Sequence, residues 1–184
     1  NITGTTTVNI SDSVTNGTTV ITNMNVDVTK INVTTDVGVF NVGYAASVDG
    51  TLTLDFDSAS AAPTLASTTI KNATTLTIDG DDTYAVVTGN LVAAATTGLT
   101  VDTGDGALTI GTVTTAALTS ATLNSTTGNT GALIVGDITA ATLVTLTGSH
   151  DEGAVSVGDI AAAAMTTLSI TDAAGAGAVT YGTV

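Results

Sequence analysis

The stretch GALIVGDI, residues 131–138, recurs as GAVSVGDI at 153–160, GALTIGTV at 106–113 and GAVTYGTV at 177–184. Looser echoes precede it. YAVVTGNL from Tyr84 keeps the alanine, the alternating apolar residues and the glycine, and GVFNVGYA from Gly38 keeps both glycines. PTLASTTI from Pro63 and GTTVITNM from Gly17 fall on the same beat, and successive units start 21 to 25 residues apart. A fixed period of this size marks a chain built from stacked units.

Each unit reads alike. Leu133 and Val135, or Val155 and Val157, share one face at period two, as in a strand. A glycine follows (Gly89, Gly111, Gly136, Gly158), then an apolar residue two positions on (Leu91, Val113, Ile138, Ile160). A small-residue segment leads to a second alternating run and a polar close. Such short Thr/Val/Ile-rich strands cannot bury an apolar face alone, but stacked units can, with like residues above like. The pattern predicts an all-β fold, a β-solenoid (parallel β-helix) of about seven coils and roughly 35 Å long. It covers 1–184 as one domain, with 1–16 an irregular lead-in or partial coil and 177–184 an incomplete last coil. Neither end reads as a cap, so a segment of a larger protein is expected. The alternative for AAAAMTTL at 161–168 is a short helix, because alanine is the best helix former. Gly is expected at corners for positive φ or close backbone approach.

The formal net charge is −14, from 16 acidic residues against Lys30 and Lys71, with no arginine. That excludes nucleic acid, whose counterions Lys and Arg must displace, and an electrostatic hold on an anionic membrane. Only 10% of residues are charged and mean hydropathy is positive, so this is no disordered acidic tail. There is no cysteine, which removes disulfides and thiolate metal sites. No apolar run is long enough for a membrane-spanning helix, and no signal peptide is visible.

Most of the carboxylates fall after the second strand run of their unit, at one corner of the coil. The best cluster is Asp79, Asp81 and Asp82 with Asp102 and Asp105 on the next coil; Asp55 and Asp57, same-facing on a strand, come second. In a stack, like charges lie about 5 Å apart and repel by about 1 kcal/mol in bulk water, and by several at a protein surface. Ca²⁺ answers this, since it takes six to eight oxygens in flexible geometry. The competing reading is polar turns, for which Asp and Gly are the common residues. Asp137 and Asp159, in line with Thr112 and Asn90, read as a corner hydrogen-bond row rather than a metal site.

His150, the only histidine, sits with Glu152 in GSHDEGAV, which reads as an exposed turn. Nucleophilic catalysis needs a base held by a third group, and Asp151 is the only neighbour offering one. With no arginine, pectin-lyase chemistry is disfavoured, while a glycosidase needs only paired carboxylates, so a carbohydrate-active β-helix stays as a third alternative. No enzyme is expected. Thr51/Thr53, Thr75/Thr77 and Thr145/Thr147 are the kind of pairs ice-binding solenoids align, but they do not recur at a constant offset. A regular array is therefore not expected. Six Asn-x-Ser/Thr sequons (Asn1, Asn9, Asn16, Asn32, Asn72, Asn124) are little more than this much threonine yields by chance.

With its LTIDG (76–80), ALTIG (107–111) and TTLSITDAAG (166–175) segments, the chain resembles bacterial surface-layer proteins of the calcium-binding repeats-in-toxin type. The double-Gly nonapeptide of that group is not present. The resemblance implies an extracellular S-layer component that is calcium-stabilised and self-associates into a lattice, with cell-envelope polysaccharide bound through other regions. A stalk module of a large secreted adhesin is the alternative.

Overall fold

The computed structural model describes residues 7–12, 18–21, 30–35, 39–42, 50–56, 64–65, 68–70, 72–80, 83–125, 128, 130–172 and 177–184. The strands begin with β1 (Thr7–Asp12), β2 (Thr18–Ile21), β3 (Lys30–Thr35), β4 (Val39–Val42), β5 (Gly50–Phe56), β6 (Thr64–Leu65) and β7 (Thr68–Ile70). Next come β8 (Ala73–Asp79), β9 (Val86–Thr88), β10 (Leu91–Ala93), β11 (Gly98–Thr103), β12 (Leu108–Ile110), β13 (Val113–Thr114) and β14 (Ser120–Ser125). The series closes with β15 (Leu133–Val135), β16 (Ile138–Thr139), β17 (Thr145–His150), β18 (Val155–Val157), β19 (Ile160–Ala161), β20 (Thr167–Asp172) and β21 (Val179–Tyr181).

These strands wind into a β-solenoid with three parallel sheets. The long sheet runs β1-β3-β5-β8-β11-β14-β17-β20, and a second eight-stranded sheet runs β2-β4-β6-β9-β12-β15-β18-β21. The third side is a five-stranded sheet, β7-β10-β13-β16-β19, so about five coils are three-sided. Counted among the described residues, that is fewer than the seven the sequence period suggests. Thr7–Asp12, within the stretch expected to be irregular, is the first strand of the long sheet and pairs with β3.

Alternation decides which residues fill the interior. Along β8, Leu76 and Ile78 point inward and are buried, while Thr77 and Asp79 point outward. Stacking repeats this coil after coil. Leu52, Leu76, Leu99, Ala121 and Leu146 form one buried column, and Val86, Leu108, Leu133 and Val155 form another on the facing sheet. Each buried leucine contributes about 1.5–3 kcal/mol over an exposed one.

The alanine-rich segment at 161–168 is not a helix. Its backbone makes one turn, Met165 N–H to Ala162 C=O (3.0 Å), while Ala164 and Thr166 donate to Ala141 (3.2 Å) and Val144 (2.9 Å) of the preceding coil. The same corner recurs where Leu143 donates to Ala140 and Thr96 to Ala93. Inter-coil hydrogen bonds outweigh local helix propensity in a segment too short to nucleate.

Glycine serves close approach here. A Cβ on Gly153 would lie 2.0 Å from the Gly131 carbonyl oxygen, whereas one on Gly98 would meet nothing nearer than 3.9 Å. Among the described residues, positive φ is confined to Gly50 (78°) and Gly128 (88°). Gly153→Ala is therefore expected to destabilise the protein by about 2 kcal/mol or more in urea unfolding, since packed backbone must move. Gly98→Ala is expected to be neutral or slightly stabilising in the same measurement.

Candidate functional site: the acidic corner

The outer face of the long sheet carries three rows of side chains, two residues apart along each strand. The row nearest the corner is Asn9, Asn32, Asp55, Asp79, Asp102, Asn124, Ser149 and Thr171, each the register partner of the next. Three consecutive carboxylates thus lie along the rod at about the 4.8 Å strand spacing. Each adjacent pair repels by about 0.9 kcal/mol at the dielectric of water and about 3.5 kcal/mol at an effective dielectric of 20. Asp79 is exposed, and Asp55 and Asp102 are half-buried.

The sequence thus brings Asp55, Asp79 and Asp102 into one column. Asp57, Asp81 and Asp82, the other expected partners, lie outside the described residues. Asp105 is not in the column. It sits in the turn after β11, where its carboxylate accepts a hydrogen bond from Thr130 N–H (3.3 Å) on the next coil. Among the described residues no three carboxylate or imidazole groups converge on one point. A column spaces its oxygens along a line, and a cation held there would be shared by neighbouring coils.

Other carboxylates at this corner hold turns. Asp151 accepts from Gly128 N–H, and Asp172 accepts from Gly177 N–H (3.0 Å). The row at Asn90, Asp137 and Asp159 does what its spacing implied. Asn90 Oδ1 accepts from Thr112 N–H (3.0 Å), Asp137 Oδ1 from Asp159 N–H (3.0 Å), and Asp159 Oδ1 from Thr183 N–H (2.7 Å). The glycine one coil on makes room: a Cβ on Gly158 would lie 2.4 Å from Asp137 Oδ1.

His150 overturns the expectation of a solvated turn residue. It is 1% exposed and faces the interior at the end of β17, in phase with buried Leu146. The turn-like composition of GSHDEG hid that phase. Its Nε2 lies 3.4 Å from Thr103 Oγ1, two coils back, and its Nδ1 has no hydrogen-bond partner among the described residues. Burial pushes the imidazole below its ordinary pKa of 6.5; the Gly153 backbone and the Asp172, Asp151 and Asp102 carboxylates offset part of that. Thr103 and His150 are a hydroxyl and a base in sequence-distant contact, but both lie in the interior.

The other two outer rows correct a second expectation. Thr51, Thr75, Gly98, Ser120, Thr145 and Thr167 are successive register partners, as are Thr53, Thr77, Thr100, Thr122, Thr147 and Ser169. The pairs do stand at one constant place. None of these hydroxyls bonds to another described residue. By contrast, corner hydroxyls of Thr74, Thr97 and Thr119 bond the carbonyls of Gly50, Thr74 and Thr97 one coil earlier.

Compared with protein-family models, curated proteins and solved structures, the chain matches none.

The Asp137 row gives a direct test. Asp137→Ala, which strands the Asp159 N–H, is expected to cost about 1 kcal/mol in urea unfolding, and Asp137→Asn, which keeps the acceptor, much less.

Proposed function

We propose that this chain is a non-enzymatic rod segment of a bacterial cell-surface lattice, an S-layer component outside the cell that calcium stiffens and that self-associates. The observation that supports this reading best is the column Asp55–Asp79–Asp102, in register on the outer face of a stiff stack. Three aligned carboxylates in a chain of net charge −14 call for a counter-ion, and hard oxygen donors suit Ca²⁺. Asp57, Asp81, Asp82 and Asp105 belong to the proposed donor set on the sequence pattern alone. Bound calcium stabilises whatever state binds it, so it stiffens the rod. Polysaccharide contacts belong to other regions. An adhesin stalk shares all these features and differs in assembly: a lattice protein forms sheets when Ca²⁺ is added, and a stalk stays monomeric.

Adding Ca²⁺ is expected to raise the thermal midpoint and a chelator to lower it. Asp79→Asn is expected to be slightly stabilising in chelator, where it relieves repulsion, and destabilising in Ca²⁺, where it removes a donor. A midpoint indifferent to calcium removes the ion from this account. Electron micrographs of the calcium-loaded protein showing only single particles remove the lattice and leave the stalk.

A second reading, ice binding, is favoured by the two threonine rows. A hydrogen bond of about 2.75 Å in a tetrahedral network sets second-neighbour oxygens at about 4.5 Å and the layer repeat at about 7.3 Å. The rows repeat at about 4.8 Å along the rod and about 6.7 Å across it. Over six strands the mismatch along the rod accumulates to about 1.5 Å, less than half of one ice repeat. On this reading, solutions of the protein show a gap between melting and freezing points, and Thr100→Tyr together with Thr122→Tyr abolishes it. Equal melting and freezing points for the unaltered protein end this reading.

A further inference from the structure

We propose that the interior imidazole of His150 makes the C-terminal coils a pH-sensitive closure, packed while the ring is neutral and loosened when it is protonated. The geometry is specific to this one residue. The inward column at the end of the long sheet is Gly80, Thr103, Ser125, His150 and Asp172, in successive coils. The ring reaches past Ser125 to Thr103, and Ser125 Oγ is engaged by Asp151 N–H (2.9 Å).

A neutral imidazole needs one acceptor for its N–H; an imidazolium needs two. Among the described residues the Thr103 hydroxyl, at 3.4 Å, is the ring's one side-chain partner, and the Gly153 backbone beside the ring lies outside good hydrogen-bond geometry with Nδ1. The other buried side chains of this interior fare differently. Thr96 bonds the Ala73 carbonyl (2.8 Å) and Thr115 the Thr96 carbonyl (3.2 Å). Protonating His150 therefore places a charge with an unsatisfied donor in the packed interior, which is costly.

Carboxylates face the ring from three directions: Asp172 on β20, Asp151 beside it in the chain, and Asp102 on β11. They favour the charged form, but the Asp102 side chain lies on the outer side of β11, opposite Thr103, and Asp172 already accepts a turn N–H. Desolvation prevails, so the folded protein holds the proton less tightly than the unfolded chain, whose histidine titrates near 6.5. The resulting stability is fully present above pH 6.5 and is lost as pH falls through the lowered folded value.

The ring can gain water only if its corner opens. Gly153 packs against it: a Cβ there would lie 2.8 Å from the ring carbon Cε1 and 2.0 Å from the Gly131 carbonyl. In a solenoid backbone pairing links each coil only to its neighbours, so the opening stays local, centred on β17 to β21 and the coils the ring touches.

Because His150 is the only histidine, its ring protons give one unambiguous resonance for an NMR titration, run in chelator so that calcium does not enter. A midpoint below 6.5 is expected. Amide exchange is expected to accelerate in β17 to β21 between pH 7.5 and pH 5.5, with β5 to β8 unchanged. The thermal midpoint is expected to fall by about 2–4 °C more over that range in the wild type than in His150→Gln. A ring midpoint at or above 6.5 overturns the proposal, whether or not the variant folds. So does identical acid sensitivity in His150→Gln, or exchange that accelerates uniformly along the rod.

Discussion

Everything in this molecule depends on one constraint, the in-register parallel hydrogen bonding of each coil to its predecessor. A parallel ladder fixes position i of one coil over position i of the next, so a residue type repeated in the unit becomes a column in space. Columns of leucine and valine make the core, and columns of threonine make a flat outer face. A column of aspartate makes a line of charge. The backbone cannot distinguish which of these is useful. It imposes the same spacing on all of them, which favours like residues that attract and penalises like charges unless something lies between them.

The interior tolerates this rule because its columns are apolar or are satisfied by the coil before. Buried Thr96 and Thr115 each find a carbonyl one coil back, and the Asn90–Asp137–Asp159 row converts side-chain oxygens into acceptors for the following backbone. His150 breaks the pattern. It occupies an inward place that the coils nearest it fill with glycine, threonine, serine or aspartate, and it reaches across an intervening coil to its partner. An interior otherwise built by repetition thus holds one singular group.

Much of this was legible in the sequence, and the misses share a cause. The GALIVGDI unit announced stacked strands because its alternation and its glycine recur together. The Asp137 row was legible because its spacing from the glycine never changes. The threonine rows were not, because the intervals between their members vary: Thr77 to Thr100 is 23 residues, Thr100 to Thr122 is 22, and Thr122 to Thr147 is 25. The extra residues fall between the strands, and the ladder stays in register. The third sheet was under-read for a related reason. Its strands are two or three residues long, too short for alternation to register, and among the described residues five coils carry one. In the aspartate column, register brings Asp55, Asp79 and Asp102 together, while Asp105 is drawn aside by a turn amide.

The tooth-and-notch fit of Asp137 against Gly158, and of Asp159 against Gly182, bears on how such a rod can change over generations. A slip by a single residue would drive a carboxylate into a side chain and strand an amide, so small insertions within the strands are penalised heavily. Duplicating or deleting one whole unit leaves every tooth facing a notch. Lengthening by complete modules is then the inexpensive route, and the span of the rod is quantised in steps of one coil.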